Sequence, residues 1–174
     1  WRESDLSEPG LRARAALVSG RFWDESLADN SASVLDRAEA LVEGGEPARA
    51  IELLGDQHSM RGLRLRAQAM FDLGRADEAG AALDAIVARM ADKQITLADD
   101  LVEGVRGLLL RARMKGPWRD AQQDYRTITT LLARARDELD RLSWSARLAE
   151  AELLNSKDNK REARQAAIEV LRLN

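Results

Sequence analysis

The stretch Leu53–Met60, LLGDQHSM, holds the chain's one histidine, His58, with Asp56 and Ser59 beside it, the side-chain types of a hydrolytic triad. All three fall on one short connector between two helical stretches, so they cannot converge on a single substrate atom with further groups to orient them. A solvated turn histidine is the expected role. One histidine and no cysteine also remove thiolate chemistry, disulfides and the usual transition-metal sites. The carboxylate pairs Asp24–Glu25, Asp77–Glu78 and Asp99–Asp100 stand at expected helix starts, where the helix dipole favours negative charge. They read as helix-terminal residues and not as an acid–base pair. The glycines of VEGGEP lack the lysine and hydroxyl of a phosphate-binding loop. Basic residues are not interleaved with aromatics, as single-stranded nucleic acid would require. No enzyme, cofactor, metal or nucleic-acid function is expected from these residues.

The composition points to an all-α protein. Hydrophobic residues make up 45% and charged residues 33% of 174 positions, with three prolines and only 4% aromatics. Such a core must be built from Leu, Ala, Val and Ile, with small residues where helices approach. The densest apolar run, GLLLRARM, is broken by arginine and no stretch approaches a membrane span. A soluble chain is expected, with the compartment, cytoplasmic or exported, left open. The net charge of −3 is unevenly spread: residues 1–60 hold 6 Arg and 12 Asp+Glu, residues 101–174 hold 15 Lys+Arg and 11 Asp+Glu. Arginine outnumbers lysine 23 to 4, as GC-rich coding would also produce.

One phrase recurs along the chain: a turn residue, an alanine five places later, and an apolar residue four beyond that. It appears as GEPARAIELL (Gly45, Ala50, Leu54), GRADEAGAAL (Gly74, Ala79, Leu83), GPWRDAQQDY (Gly116, Ala121, Tyr125) and, more weakly, DNKREARQAA (Asp158, Ala163, Ala167). A glycine that accepts the left-handed conformation ends one helix, and a small residue in the next helix lets two axes come close. Before each turn, apolar residues recur at intervals of three and four: Val34, Ala38, Leu41; Leu63, Ala67, Met70; Val105, Leu108, Leu109, Ala112. The pattern predicts repeated helical hairpins.

These hairpins resemble tetratricopeptide repeats, with small residues at Ala38, Ala50, Ala67, Ala79 and Ala121. The resemblance covers roughly residues 31–174 and implies a right-handed α–α superhelix, with residues 1–30 as a degenerate first repeat or capping hairpin. Departures are plain: the alanines are spaced 29, 42 and 42 against about 34 in the family, Leu109 replaces a small residue, and Glu25 stands where the front segment should have alanine. Armadillo or HEAT units, about 40–47 residues long, are the rival for the longer copies. The resemblance further implies a non-catalytic interaction module whose first helices line a concave groove for a peptide or partner protein. The matching positions are Leu35, Asp36, Glu39 and Glu43; then Arg61, Arg64, Gln68 and Phe71; then Arg106, Leu110 and Arg113. Arginine forks suit carboxylates, so an acidic segment or free C-terminus is the expected ligand. Replacing Arg64 and Arg106 by alanine should then cost binding and spare stability. The alternatives are that these arginines pair with Asp36, Glu39, Asp72 and Glu103, or that the chain is a spacer or dimerisation element with no peptide ligand.

The longest single element is expected at 117–142, with the stripe Trp118, Ala121, Tyr125, Ile128, Leu132, Ala135, Leu139, Leu142 and ion pairs Arg134–Glu138, Arg136–Asp140 and Asp137–Arg141 four apart. Such a stripe packs on its own neighbours or supports a homodimer. The closing VLRLN falls where the family ends a repeat, so the resemblance implies that Asn174 is a repeat boundary within a longer protein and that the last helix exposes Ile168 and Leu171.

Overall fold

The computed structural model describes residues 9–28, 32–91, 95–116 and 118–173, which form ten α-helices and one π-helical turn. They fall into two compact units, residues 1–82 and 83–174, with the division inside a helix. The first unit contains α1 (Pro9–Val18), α2 (Glu25–Ala28), α3 (Val34–Glu43), α4 (Pro47–Leu54), α5 (Met60–Asp72) and the start of α6 (Ala76–Ala91). The second contains the rest of α6, then α7 (Ala98–Lys115), α8 (Trp118–Arg134), the π turn (Ala135–Leu139), α9 (Trp144–Ser156) and α10 (Lys160–Leu173). Packing is largely between sequential helices, α1 with α2, α3 with α4, α7 with α8 and α9 with α10. First helices also lie side by side: α1 on α3 and α3 on α5 in the first unit, α7 on α9 in the second.

The hairpins follow from their turns. Gly45, Gly74, Gly116 and Asp158 all have positive φ, 82°, 75°, 76° and 58°. At three of them the same pair of bonds closes the helix: Glu46 N to Leu41 O and Gly45 N to Val42 O, Arg75 N to Met70 O and Gly74 N to Phe71 O, Asn159 N to Leu154 O and Asp158 N to Asn155 O. These are the two bonds of a Schellman ending, which satisfies carbonyls that the helix leaves without partners. Gly20 repeats it, with φ 74° and Arg21 N on Ala16 O, so the front segment turns by the same device although Glu25 holds the alanine place. The alanines do what their size allows: Ala50 and Ala79 are 0% exposed, Ala121 1% and Ala163 8%. Asp158 is the one described non-glycine at positive φ. Its ion pair with Lys160 is fully at the surface and contributes little. Asp158→Gly is therefore expected to stabilise the chain by about 0.5 kcal/mol, because a side chain in the left-handed region is strained and glycine is not. A thermal melt that moves down instead of up would contradict this.

In the first unit, one core cluster joins Ala13, Ala16, Leu17, Leu27, Ala32 and Ala40, and another joins Ala38, Val42, Ala50, Leu54, Leu65 and Ala69. The second unit is built around Leu101, Val105, Leu108, Ile128, Leu132 and Leu153. Gly107 belongs to that packing: a Cβ there would stand 2.8 Å from Ile86 Cδ1, so α7 meets α6 at a contact only glycine permits without a shift.

The expected 117–142 element ends early. Helical structure runs from Trp118 to Leu139, and its last turn widens to π geometry, with Asp140 N donating to Ala135 O. Ala121, Ile128, Leu132 and Ala135 are buried, whereas Leu142 is 72% exposed. Pro117, the Trp118 side chain and Asn174 lie outside the described residues. The wider turn also changes one of the expected i,i+4 pairs, while Arg141 remains close enough to help hold the Asp137 carboxyl below its ordinary value after Arg136, the larger cause. Arg134 stays near Glu138 at 3.9 Å, but Arg136 binds Asp137 and reaches Glu150 of α9 in place of Asp140. Ile168 and Leu171 of α10 are exposed, at 41% and 78%.

Candidate functional site

The first-helix face of the first unit carries a dense charge network. Ser33 caps α3: its hydroxyl accepts from Asp36 N at 3.1 Å and donates to Asp36 Oδ2 at 2.8 Å. That fixes Asp36 at the start of α3, where Arg14 of α1 and Arg61 of α5 each donate to its Oδ1 at 2.6 Å. One turn later Glu39 accepts from Arg61 Nε at 3.0 Å, from Arg61 Nη2, and from Arg64 Nη2 at 2.7 Å. Three guanidinium groups thus enclose two carboxylates, and the five residues come from three helices. Burial acts to raise the Glu39 carboxyl, and Arg64 and Arg61 outweigh it, holding it below the ordinary value. The same balance holds Asp36 low, with Arg61 and Ser33 opposing burial.

Each expected groove residue can now be placed within its own unit. Arg61 and Arg64 pair with Asp36 and Glu39, and Arg64 is 8% exposed, so it is a buried residue of the fold and not a dispensable surface cation. Gln68 donates to Asp72 at 2.8 Å. Phe71 is partly open, at 39%. Leu35 packs against the first unit's core, and Glu43 is exposed. In the second unit Arg106 reaches Glu103 at 3.2 Å and Glu152 of α9 at 3.6 Å. Arg113 is exposed, and Leu110 is only 3% exposed, within the helix packing. Arg61 and Arg106 thus perform one job, joining the first helices of successive hairpins.

Sequence reasoning missed two features. Asp124 of α8 is 2% exposed and accepts from Arg111 Nη2 at 2.5 Å. The Lys115 ammonium lies 2.8 Å from its Oδ2, close enough for strong charge attraction though off the line of a good hydrogen bond. Its signal was an acid three residues after Ala121, on the helix face that packs inward. The second feature is a cleft of about 260 Å³ in the first unit, lined by Phe22, Trp23, Leu27, Leu41 and Leu53 with Arg49 at its edge. Trp23 is 76% exposed and meets Phe22 edge-on at 6.2 Å.

Ser59 caps α5, accepting from Gly62 N at 3.1 Å, and His58 is exposed on the turn. Asp77 and Glu78 lie in the first turn of α6, Asp99 and Asp100 in that of α7, and Asp24 accepts from Ser26 N and Oγ ahead of α2. Among the described residues no cluster of three metal-ligating side chains occurs, and no helix is long and apolar enough to cross a membrane. Comparison with protein-family models, with curated proteins and with solved structures returned no match.

Proposed function

We propose that this chain is a non-catalytic interaction module of tetratricopeptide-like hairpins that holds a peptide or partner protein against its first helices. What supports the reading is the five-fold turn at Gly20, Gly45, Gly74, Gly116 and Asp158, each at positive φ between a first and a second helix. First helices packed side by side, α1–α3–α5 in one unit and α7–α9 in the other, are the local arrangement a superhelix of hairpins needs. The function follows from that likeness and not from a catalytic constellation. An acidic partner at the first unit has to compete with Asp36 and Glu39 for Arg61 and Arg64.

The second reading, a spacer that fixes neighbouring domains, draws on that competition: guanidinium groups already paired within the chain have no need of a ligand. Calorimetry at low salt against acidic, neutral and basic peptides separates the two. The module reading expects saturable binding of at least one class, weakened by salt if charge selects it. Heats indistinguishable from dilution for all three leave the spacer.

A further inference from the structure

The second unit has one end at which large apolar side chains face solvent. Leu97, just before α7, is 64% exposed; Leu142, after the π turn, is 72%; and Trp144, the first residue of α9, is 39%. Two contacts bring these segments together. Ser145 donates to Asp99 Oδ1 at 2.6 Å, joining the starts of α7 and α9, and Arg134 Nη2 donates to Ile95 O at 3.1 Å, joining the approach to α7 with the end of α8. Exposed apolar side chains gathered in this way mark an interaction surface more often than scattered ones do.

The charge around them indicates what the surface fits. Asp99, Asp137, Glu138 and Asp140 are exposed, whereas among the described residues from 95 to 100 and from 135 to 146 the one exposed cation is Arg141, between the π turn and α9. The other arginines are drawn inward, with side chains only 26%, 30% and 23% exposed: Arg134 is held by Ile95 O with Glu138 at 3.9 Å, Arg136 by Asp137 and Glu150, and Arg147 by Glu169. The π turn produces this sorting, since its wider register sends Arg136 across to α9 and leaves Glu138 and Asp140 outside. Among the described residues, the Asp99 and Asp140 carboxylates accept only from Ser145 Oγ and Leu142 N, so a partner that covers the apolar patch desolvates two carboxylates with no cation of this unit in ion-pair contact, and a cationic partner compensates them.

We propose that this end docks a basic amphipathic segment of a partner protein, its apolar side chains on Leu97, Leu142 and Trp144 and its Lys or Arg residues on the surrounding carboxylates. The proposal rests on the interaction-module reading but uses a different surface from the first-helix face. Its test is a nitrogen-15 NMR titration of the full chain with two 14-residue peptides of identical Leu positions, one bearing Lys and the other Glu between them. The Lys peptide should shift the amides of residues 95–100 and 137–146 and the Trp144 indole, and added salt should weaken it. The Glu peptide should leave them in place. Leu97→Ser with Leu142→Ser should weaken binding at least tenfold while the melting temperature holds, because Leu142 is exposed and serine suits the helix-capping position that Leu97 occupies. Equal response to both peptides, no response, or shifts confined to α3 and α5 would overturn the proposal. So would sedimentation showing self-association that the double variant abolishes, since the occupant would then be a second copy. Shifts confined to α3 and α5 would leave the interaction-module reading standing, whereas silence here together with silent calorimetry would remove both.

Discussion

Glu39→Ala is expected to destabilise the folded chain by about 3 kcal/mol, the low end of what breaking one partner of a buried ion pair costs. The removed carboxylate is the shared acceptor of Arg61 and Arg64, whose side chains are 17% and 9% exposed. Neither guanidinium can turn fully to water without unpacking α5 from α3. Arg61 retains Asp36, and Arg64 loses its 2.7 Å ion pair. Arg64→Ala should be costly for the same reason, which reverses the expectation that this arginine serves binding alone. Urea unfolding of wild type, Glu39→Ala, Arg64→Met and the double variant gives the coupling directly; a coupling of about 1–3 kcal/mol is expected for residues that share a network. A Glu39→Ala loss below about 1 kcal/mol would place the pair with ordinary surface ion pairs and end this account of the first unit.

Asp124→Ala is expected to cost about 3 kcal/mol as well, and to change how the chain responds to acid. Asp124 is almost wholly enclosed, and its loss leaves Arg111 facing only Asp84, 3.6 Å away, while the half-exposed Lys115 can swing into solvent. Burial acts to raise the Asp124 carboxyl, and the Arg111 and Lys115 cations outweigh it, holding it below the ordinary aspartate value. A group whose folded pKa is depressed contributes its full stability above the unfolded value, about 3.9 for aspartate, and loses it as pH falls toward the folded one. The gap between wild type and Asp124→Ala should therefore be constant near neutrality and close below about pH 4. Melting temperatures of both proteins from pH 7 to pH 3 check this, and curves that stay parallel through the acid range would show that Asp124 carries no linked stability.

The hairpin plan was legible because it is written locally. A glycine at a helix end and an alanine five residues on act within two helical turns, so the phrase that marks Gly45 and Ala50 needs no distant contact to be read. The same device at Gly20 was harder to see, because Glu25 replaces the alanine and α2 is only four residues long. The end of the long element was not legible. Nothing in the regular three-and-four spacing of Ile128, Leu132, Ala135, Leu139 and Leu142 announces that the turn after Arg134 widens.

The sequence by itself determined that the chain is helical, where it reverses, and which small residues lie between helices, since propensity, periodicity and turn conformation depend on near neighbours. Only the tertiary structure decided what the arginines do. A guanidinium on a long side chain chooses among acids 22 and 25 positions away, as Arg61 does with Glu39 and Asp36, and that choice depends on how α1, α3 and α5 align. The same holds for Leu110, which the family resemblance assigns to an open groove and which the packing of the second unit buries. It holds again for Asp124, whose charge is tolerated inside because α7 supplies Arg111 and Lys115 at the right height. Side-chain partners set by helix alignment are long-range quantities, and a single sequence specifies them only through the fold it adopts.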